Sequence, residues 1–188
     1  MIDPGSTAPA FSLNSTDNKP VSLGSITDKG PALVVFVSEE CPTSRLAVER
    51  LEPLREPFEQ AGASLVAVFE DDSEVAVRTM RRCQATYQAL SEPAPFEVSE
   101  SYGIQTVPSA FLVGTDGRVI DAIEGWSRED YNRIAAKVAE LDGNAMAGQV
   151  SDENPHEKPG CSSKNTLAPS LIAAMNTDAG LDEWEDMF

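Results

Sequence analysis

The 188-residue sequence reads as a single α/β domain, a mixed β-sheet flanked by helices, with an N-terminal hairpin and a C-terminal tail. Three observations predict this class. Two short apolar, β-rich runs, residues 33–37 and 65–69, lack the alternation of half-exposed strands, so each suits a strand covered on both faces. Each is followed by a stretch with helical periodicity, which gives the strand and helix alternation of a layered sheet. Finally, Gly114-Thr115-Asp116-Gly117 separates two further β-rich runs, and its Asp-Gly pair is a strong hairpin signal.

The elements follow in order. Ala8-Pro9-Ala10-Phe11-Ser12-Leu13 and Val21-Ser22-Leu23 alternate in period two around the turn-prone Thr16-Asp17-Asn18-Lys19-Pro20, which predicts a short hairpin. Residues 33–37 form the central strand. Leu46, Leu51, Leu54 and Phe58, with Ala47 and Val48, lay an apolar stripe along a helix from Pro42 to Gln60. Pro53 and Pro57 should kink or shorten it, and Gly62 should stop it. After the second buried strand, Asp72 or Ser73 can cap a helix that carries Val77, Met80, Cys83 and Tyr87 on one side and ends before Pro93. An irregular proline-rich link leads to residues 96–98 and a turn at Tyr102-Gly103. Residues 110–113 and 118–123 flank the Asp-Gly turn. Ser127 caps a last helix with Tyr131, Ile134, Val138 and Leu141 inward, ending near Gly143.

Composition divides the chain into a domain over 1–142, a flexible linker over 143–170 carrying Cys161, and an acidic amphipathic segment over 171–188. In that last segment Leu171, Ile172, Met175, Leu181, Trp184, Met187 and Phe188 stand among acidic residues, with Trp184 placed as a docking anchor for a protein partner or for its own domain. A net charge of -17, from 31 acidic against 14 basic residues, disfavours binding to nucleic acid or to an anionic membrane surface. The sequence has neither a basic n-region before an apolar stretch nor a long apolar run, which predicts a cytoplasmic protein. Its three cysteines are too few and too scattered for a disulfide scaffold or a zinc-finger site.

Cys41 is the centre of the chemical reading. In Phe36-Val37-Ser38-Glu39-Glu40-Cys41-Pro42-Thr43-Ser44 a β-rich run ends in a thiol, and a helix begins with Pro42 in its first turn. A sulfur there meets unpaired backbone N–H groups and the positive end of the helix dipole, both of which favour thiolate. The dipole effect, about 0.3 to 1 kcal/mol, lowers a thiol pKa by less than about one unit. Glu39 and Glu40 push the other way, so a moderately nucleophilic thiol is expected. A dithiol motif would need a cysteine at position 44, where the chain has serine.

Together with Tyr102-Gly103-Ile104-Gln105-Thr106-Val107-Pro108-Ser109-Ala110-Phe111-Leu112-Val113, the element order and the position of Cys41 resemble the thioredoxin-fold redoxins over residues 4–142. The N-terminal hairpin is similar to the TlpA and peroxiredoxin branches. The resemblance implies a thioredoxin-like sheet in which a cis-proline loop, Val107-Pro108, faces Cys41 and holds an extended substrate peptide through the backbone before the proline. It places Pro42, Thr43, Ser44, Val107 and Pro108 around the substrate, a protein disulfide or a hydroperoxide. Departures are specific. Ser44 excludes a local dithiol cycle, Val34 replaces the proline of the peroxiredoxin signature, and the peroxide-binding arginine of that branch falls at or near Pro108.

Two more sulfurs could complete a redox cycle. Cys83 shares a helix face with Met80 and Tyr87, which suits a packed core cysteine, while the resemblance also allows a resolving thiol there. Cys161, in Lys158-Pro159-Gly160-Cys161-Ser162-Ser163-Lys164, lies in a locally basic stretch with enough chain behind it to reach Cys41 or a partner molecule. It reads as a resolving thiol or as an incidental exposed cysteine. His156 with Cys161 is half of a metal site at most, so neither a metal nor another cofactor is expected. Three functions remain: a thiol-disulfide oxidoreductase or redox sensor using Cys41, a thiol peroxidase, or a redox-inactive adaptor that binds a partner through its acidic tail.

Overall fold

The computed structural model describes residues 1–143 and 148–175. One seven-stranded sheet organises them. Strands β1 (Ser12–Ser15) and β2 (Pro20–Ser22) form an antiparallel hairpin, followed by the short helix α1 (Leu23–Thr27), β3 (Ala32–Val37), α2 (Pro42–Gln60), β4 (Ser64–Phe69) and α3 (Ser73–Arg82). Then come β5 (Gln88–Ser91), α4 (Glu97–Ser101), β6 (Thr106–Val107), β7 (Ser109–Val113), β8 (Val119–Glu124), β9 (Trp126–Ser127) and α5 (Arg128–Asp142). The sheet order is β2-β1-β5-β4-β3-β7-β8, with β3, β4 and β5 parallel and the rest antiparallel. This is the mixed α/β, thioredoxin-like arrangement.

Period two along β3 builds both layers of the core. Leu33, Val35 and Val37 point to one face, against Leu51, Leu54 and Phe58 of α2 and Tyr131 and Ile134 of α5. Val34 and Phe36 point to the other, where Phe36, Tyr102 and Phe111 meet in tilted and edge-on contacts with centroids 5.0 to 5.9 Å apart. With both faces covered, no residue of β3 is more than 1% exposed. Behind β3, a Cβ on Gly30 would stand 1.8 Å from the Gly62 carbonyl oxygen, so the lead-ins to β3 and β4 come together only over a bare backbone.

Several elements differ from the expectation. Helix α2 runs unbroken through Pro53 and Pro57. Pro53 is exposed and Pro57 half-buried, away from the stripe of Ala47, Val48, Leu51, Leu54 and Phe58, and burial of that stripe outweighs the two lost helical hydrogen bonds. Helix α3 is shorter than its periodicity suggests, because Gln84 takes a left-handed conformation (φ 54) just after the cap at Cys83. Tyr87 therefore lies outside the helix, its hydroxyl donating to the Val48 carbonyl at 2.8 Å, and Val77 is 37% exposed. Strand β5 follows at once, although Gln88-Ala89-Leu90-Ser91 has no β-branched residue; its pairing with β4 and β1 makes it a strand. Leu141, expected inward on α5, is exposed.

The largest difference concerns the stretch that composition marks as a flexible linker. Residues 157 and 158 form β10 (Glu157–Lys158), antiparallel to β9, and residues 161 and 162 form β11 (Cys161–Ser162), antiparallel to β6. A 3-10 turn (Lys164–Thr166) and helix α6 (Pro169–Met175) follow. Trp126 Nε1 donates to the Pro155 carbonyl at 2.8 Å, Arg128 N to His156 O at 2.9 Å, and Val150 N to Asn132 Oδ1 at 2.7 Å. Val150, Asn154 and Ser163 are buried. A polar, glycine-containing stretch is thus fixed by edges and side chains distant in sequence. Leu171, Ile172 and Met175 lie in α6, whereas Leu181, Trp184, Met187 and Phe188 fall outside the described residues.

Candidate active site at the N-terminus of α2

Strand β3 ends and α2 begins at Cys41, the N-cap residue, whose backbone is extended (φ -85, ψ 116). Its Sγ accepts the Ser44 N–H at 3.4 Å, one of the donors that a helix start leaves unpaired. Pro42 occupies the first turn. Opposite, the Val107–Pro108 peptide bond is cis, and the Val107 carbonyl oxygen lies 3.4 Å from Cys41 Sγ. Helix start and loop thus face each other across one sulfur.

The third wall is the chain's own tail. Cys161 is directly opposite Val107 in the β6–β11 register, and Cys41 and Cys161 are joined in a disulfide with Cα atoms 5.8 Å apart and 120 residues between them in sequence. Thr43 Oγ1 donates to the Pro159 carbonyl at 2.7 Å, and Ser163 N donates to Gln105 O at 3.0 Å. Cys41 is consequently 1% exposed and, as half of a disulfide, is not the free nucleophilic thiol read from the sequence. The cover is polypeptide tied by sulfur, on the apolar layer that holds Phe36 and Tyr102.

Beyond β11 the tail meets two acids at the carboxyl end of β4. Ser163 Oγ donates to Glu70 Oε1, and Lys164 N donates to Glu70 Oε2 at 2.8 Å. Lys164 Nζ donates to Asp71 Oδ1 at 2.6 Å and lies 3.8 Å from Glu40. Burial pushes the Glu70 carboxyl above the usual range, while the donors from Ser163 and Lys164 pull it back. Asp71 also accepts the Glu39 N–H at 2.8 Å, which fixes the loop leading to Cys41. These acids were not singled out in the sequence, although Glu70-Asp71-Asp72 directly after a buried strand marks the sheet end where ligands collect.

Other candidates are placed as follows. Cys83 is free and buried against α2, with Sγ 3.6 Å from the Arg45 carbonyl, in the core layer on the other side of the sheet from Cys41. Burial pushes its thiol up, which disfavours the reactive thiolate. Ser44 is buried, and its Oγ is among the buried polar atoms without a hydrogen-bond partner in the described residues. Arg45 donates to the Glu39 carbonyl. His156 is exposed, 3.9 Å from the carboxylates of Glu129 and Glu157.

Residues 4–122 match the AhpC/TSA family. The chain is 24% identical over 128 residues to the thiol-disulfide oxidoreductase ResA of Bacillus subtilis, covering 68% of this chain and 71% of ResA. In structure it is similar to a thiol:disulfide interchange protein from Bacteroides sp. (TM-score 0.64, 24% identity, 73% of this chain and 91% of the other). It is also similar to peroxidoxin BcpB from Mycobacterium tuberculosis (TM-score 0.63, 21% identity, 76% and 97%). These relatives carry the names of oxidoreductases from both branches of the thioredoxin-fold redoxins.

Proposed function

We propose that this chain, which belongs to the AhpC/TSA family, is a thiol-disulfide oxidoreductase that cycles between the Cys41–Cys161 disulfide and a dithiol. Cys41 is the nucleophile, and Cys161 is the remote thiol that resolves it. The observation that carries this reading is the pairing of Cys161 with Val107, which brings a sulfur 120 residues away onto a cysteine already capping a helix beside a cis-proline loop.

In the reduced form the Cys41 thiolate attacks one sulfur of a substrate disulfide. A Cys41–substrate bond forms, the substrate S–S bond breaks, and the second substrate sulfur leaves as thiolate. The Cys161 thiolate then attacks Cys41 Sγ, expelling the remaining substrate thiolate and closing the internal disulfide. Two electrons pass from the protein to the substrate, and an external dithiol restores the cysteines. The Ser44 N–H, at 3.4 Å from Cys41 Sγ, stabilises the thiolate whenever Cys41 is the leaving group.

The test is peptide mapping after reduction and mild reoxidation, together with Cys161→Ser. The expected results are a Cys41–Cys161 cross-link in the wild type and a persistent Cys41 mixed disulfide in the variant. A cross-link between Cys41 and Cys83 would overturn the pairing. A second reading, thiol peroxidase, is favoured by one feature: a small hydroperoxide leaves the β6 edge free for the tail. Cys41 would take one oxygen to give a sulfenic acid plus alcohol or water, and Cys161 would then displace hydroxide. Peroxide turnover with a thioredoxin system would select it.

A further inference from the structure

We propose that residues 158–164 are a built-in copy of the preferred substrate, so that Cys41 acts on extended peptides of the form Gly-Cys-x-Ser-Lys. This deepens the thiol-disulfide reading above and rests on it. The tail and an incoming peptide need the same backbone edge, β6, and the contacts of the tail state what that edge accepts.

Glycine is required before the cysteine. A Cβ on Gly160 would stand 2.3 Å from Thr106 Cγ2 and 2.4 Å from the Val107 carbonyl oxygen, and the latter is backbone beside the cis-proline. At the other end the site is acidic and built into the domain. Glu70 is 1% exposed and the Asp71 side chain 5%, and Asp71 is already committed to the Glu39 N–H. When the tail departs, Glu70 loses the donors from Ser163 and Lys164, and Asp71 loses an ammonium at 2.6 Å. An occupant that covers the same edge shuts water out from both carboxylates again, so it must supply a hydroxyl and a cation at the same spacings. Thr43 and Gln105 bond only to backbone, at Pro159 and Ser163, and so set register without reading side chains.

The experiment uses the full-length chain with Cys161→Ser, which keeps Cys41 and removes the covalent hold of the tail. The probe is the peptide Lys-Pro-Gly-Cys-Ser-Ser-Lys with its cysteine capped as a disulfide with thionitrobenzoate. Attack by Cys41 on the peptide sulfur forms the Cys41–peptide disulfide, breaks the bond to the cap and releases coloured thionitrobenzoate, so that the Cys41 sulfur is oxidised to disulfide level while the cap's sulfur is reduced to thiolate. The rate is compared with peptides carrying alanine for the glycine or glutamate for the last lysine. Each change is expected to slow release at least tenfold, and Asp71→Asn should reduce the lysine-to-glutamate contrast to less than threefold. The same ranking is expected in Gly160→Ala/Cys161→Ser, where the tail no longer fits the edge and cannot compete. Equal rates for the three peptides, within twofold, would overturn the inference while leaving Cys41 a working nucleophile. Failure of Cys41 to react with any peptide or with the symmetrical nitrobenzoate disulfide would overturn the underlying reading instead.

Discussion

Strands β3 and β4 at the middle of the sheet and strands β10 and β11 of the tail are all held by backbone ladders, but their support differs in kind. The β3–β4 pair runs for six residue pairs between two apolar layers, so many dispersed contacts defend each hydrogen bond. Each tail pairing is two residues long, and three of the four strand residues on the tail side, Glu157, Lys158 and Ser162, are exposed. One disulfide and a few polar anchors do the work there. A core of the first kind changes state only by unfolding; a clasp of the second kind can open by losing one bond, with the rest intact.

The comparison is sharpest when each region is damaged separately. Leu51→Ala, in the fully buried stripe of α2, should cost about 3 to 5 kcal/mol of unfolding free energy in urea titration and leave closure of the Cys41–Cys161 bond intact at moderate temperature. Cys161→Ser should cost about 2 to 4 kcal/mol, since it removes a cross-link spanning 120 residues. Hydrogen exchange should then accelerate over 157–164 with protection of β3 and β4 unchanged. Equal acceleration in both regions would erase the distinction.

Smaller perturbations refine it. Lys164→Ala removes the half-buried ammonium that meets Asp71, and should weaken tail docking by about 1 to 3 kcal/mol, read as a roughly fivefold or larger shift toward the dithiol in a glutathione redox titration. The effect of pH divides the buried carboxyls as well. Burial raises the carboxyls of Glu70 and Glu92, so stability is fully present below the ordinary carboxylate value and declines as pH rises through their folded values. For Asp121 burial is outweighed by hydrogen bonds from Arg133 and Lys137, which hold it at about 2, so its contribution is present above the ordinary Asp value and lost as pH falls toward 2. Urea midpoints between pH 3 and 7 should therefore peak on the acid side, and Glu92→Gln should flatten the decline toward neutrality. Leu141→Ser, on an exposed site of α5, should change stability by no more than about 0.5 kcal/mol.

What could be read in advance follows the same division. β3, β4, α2, α5 and the Asp-Gly hairpin announce themselves because their signals are local: apolar runs, a 3.6-residue stripe, a Ser127 cap, a turn dipeptide. Cys41 was legible for that reason, as an N-cap ahead of Pro42. β5 and the tail strands were not, since Gln88-Ala89-Leu90-Ser91 and Glu157-Lys158 become strands only through edges supplied from elsewhere. The pairing of Cys161 is one option among several in the sequence, Glu70 and Asp71 are marked only by their place after a buried strand, and Lys164 carries no mark of its own. Their meaning lies in contacts 93 and 94 residues across the chain.

Ser44 gives this division a last significance. Its hydroxyl sits buried and, among the described residues, unpartnered one turn after Cys41, the place where a second thiol would let the couple close within a single helical turn. A couple that closed there would hide its oxidation state inside the molecule. In the proposed cycle, oxygen at that position sends the electrons through a distant strand, so that the protein's redox history would be displayed as a change of outline that other molecules can sense.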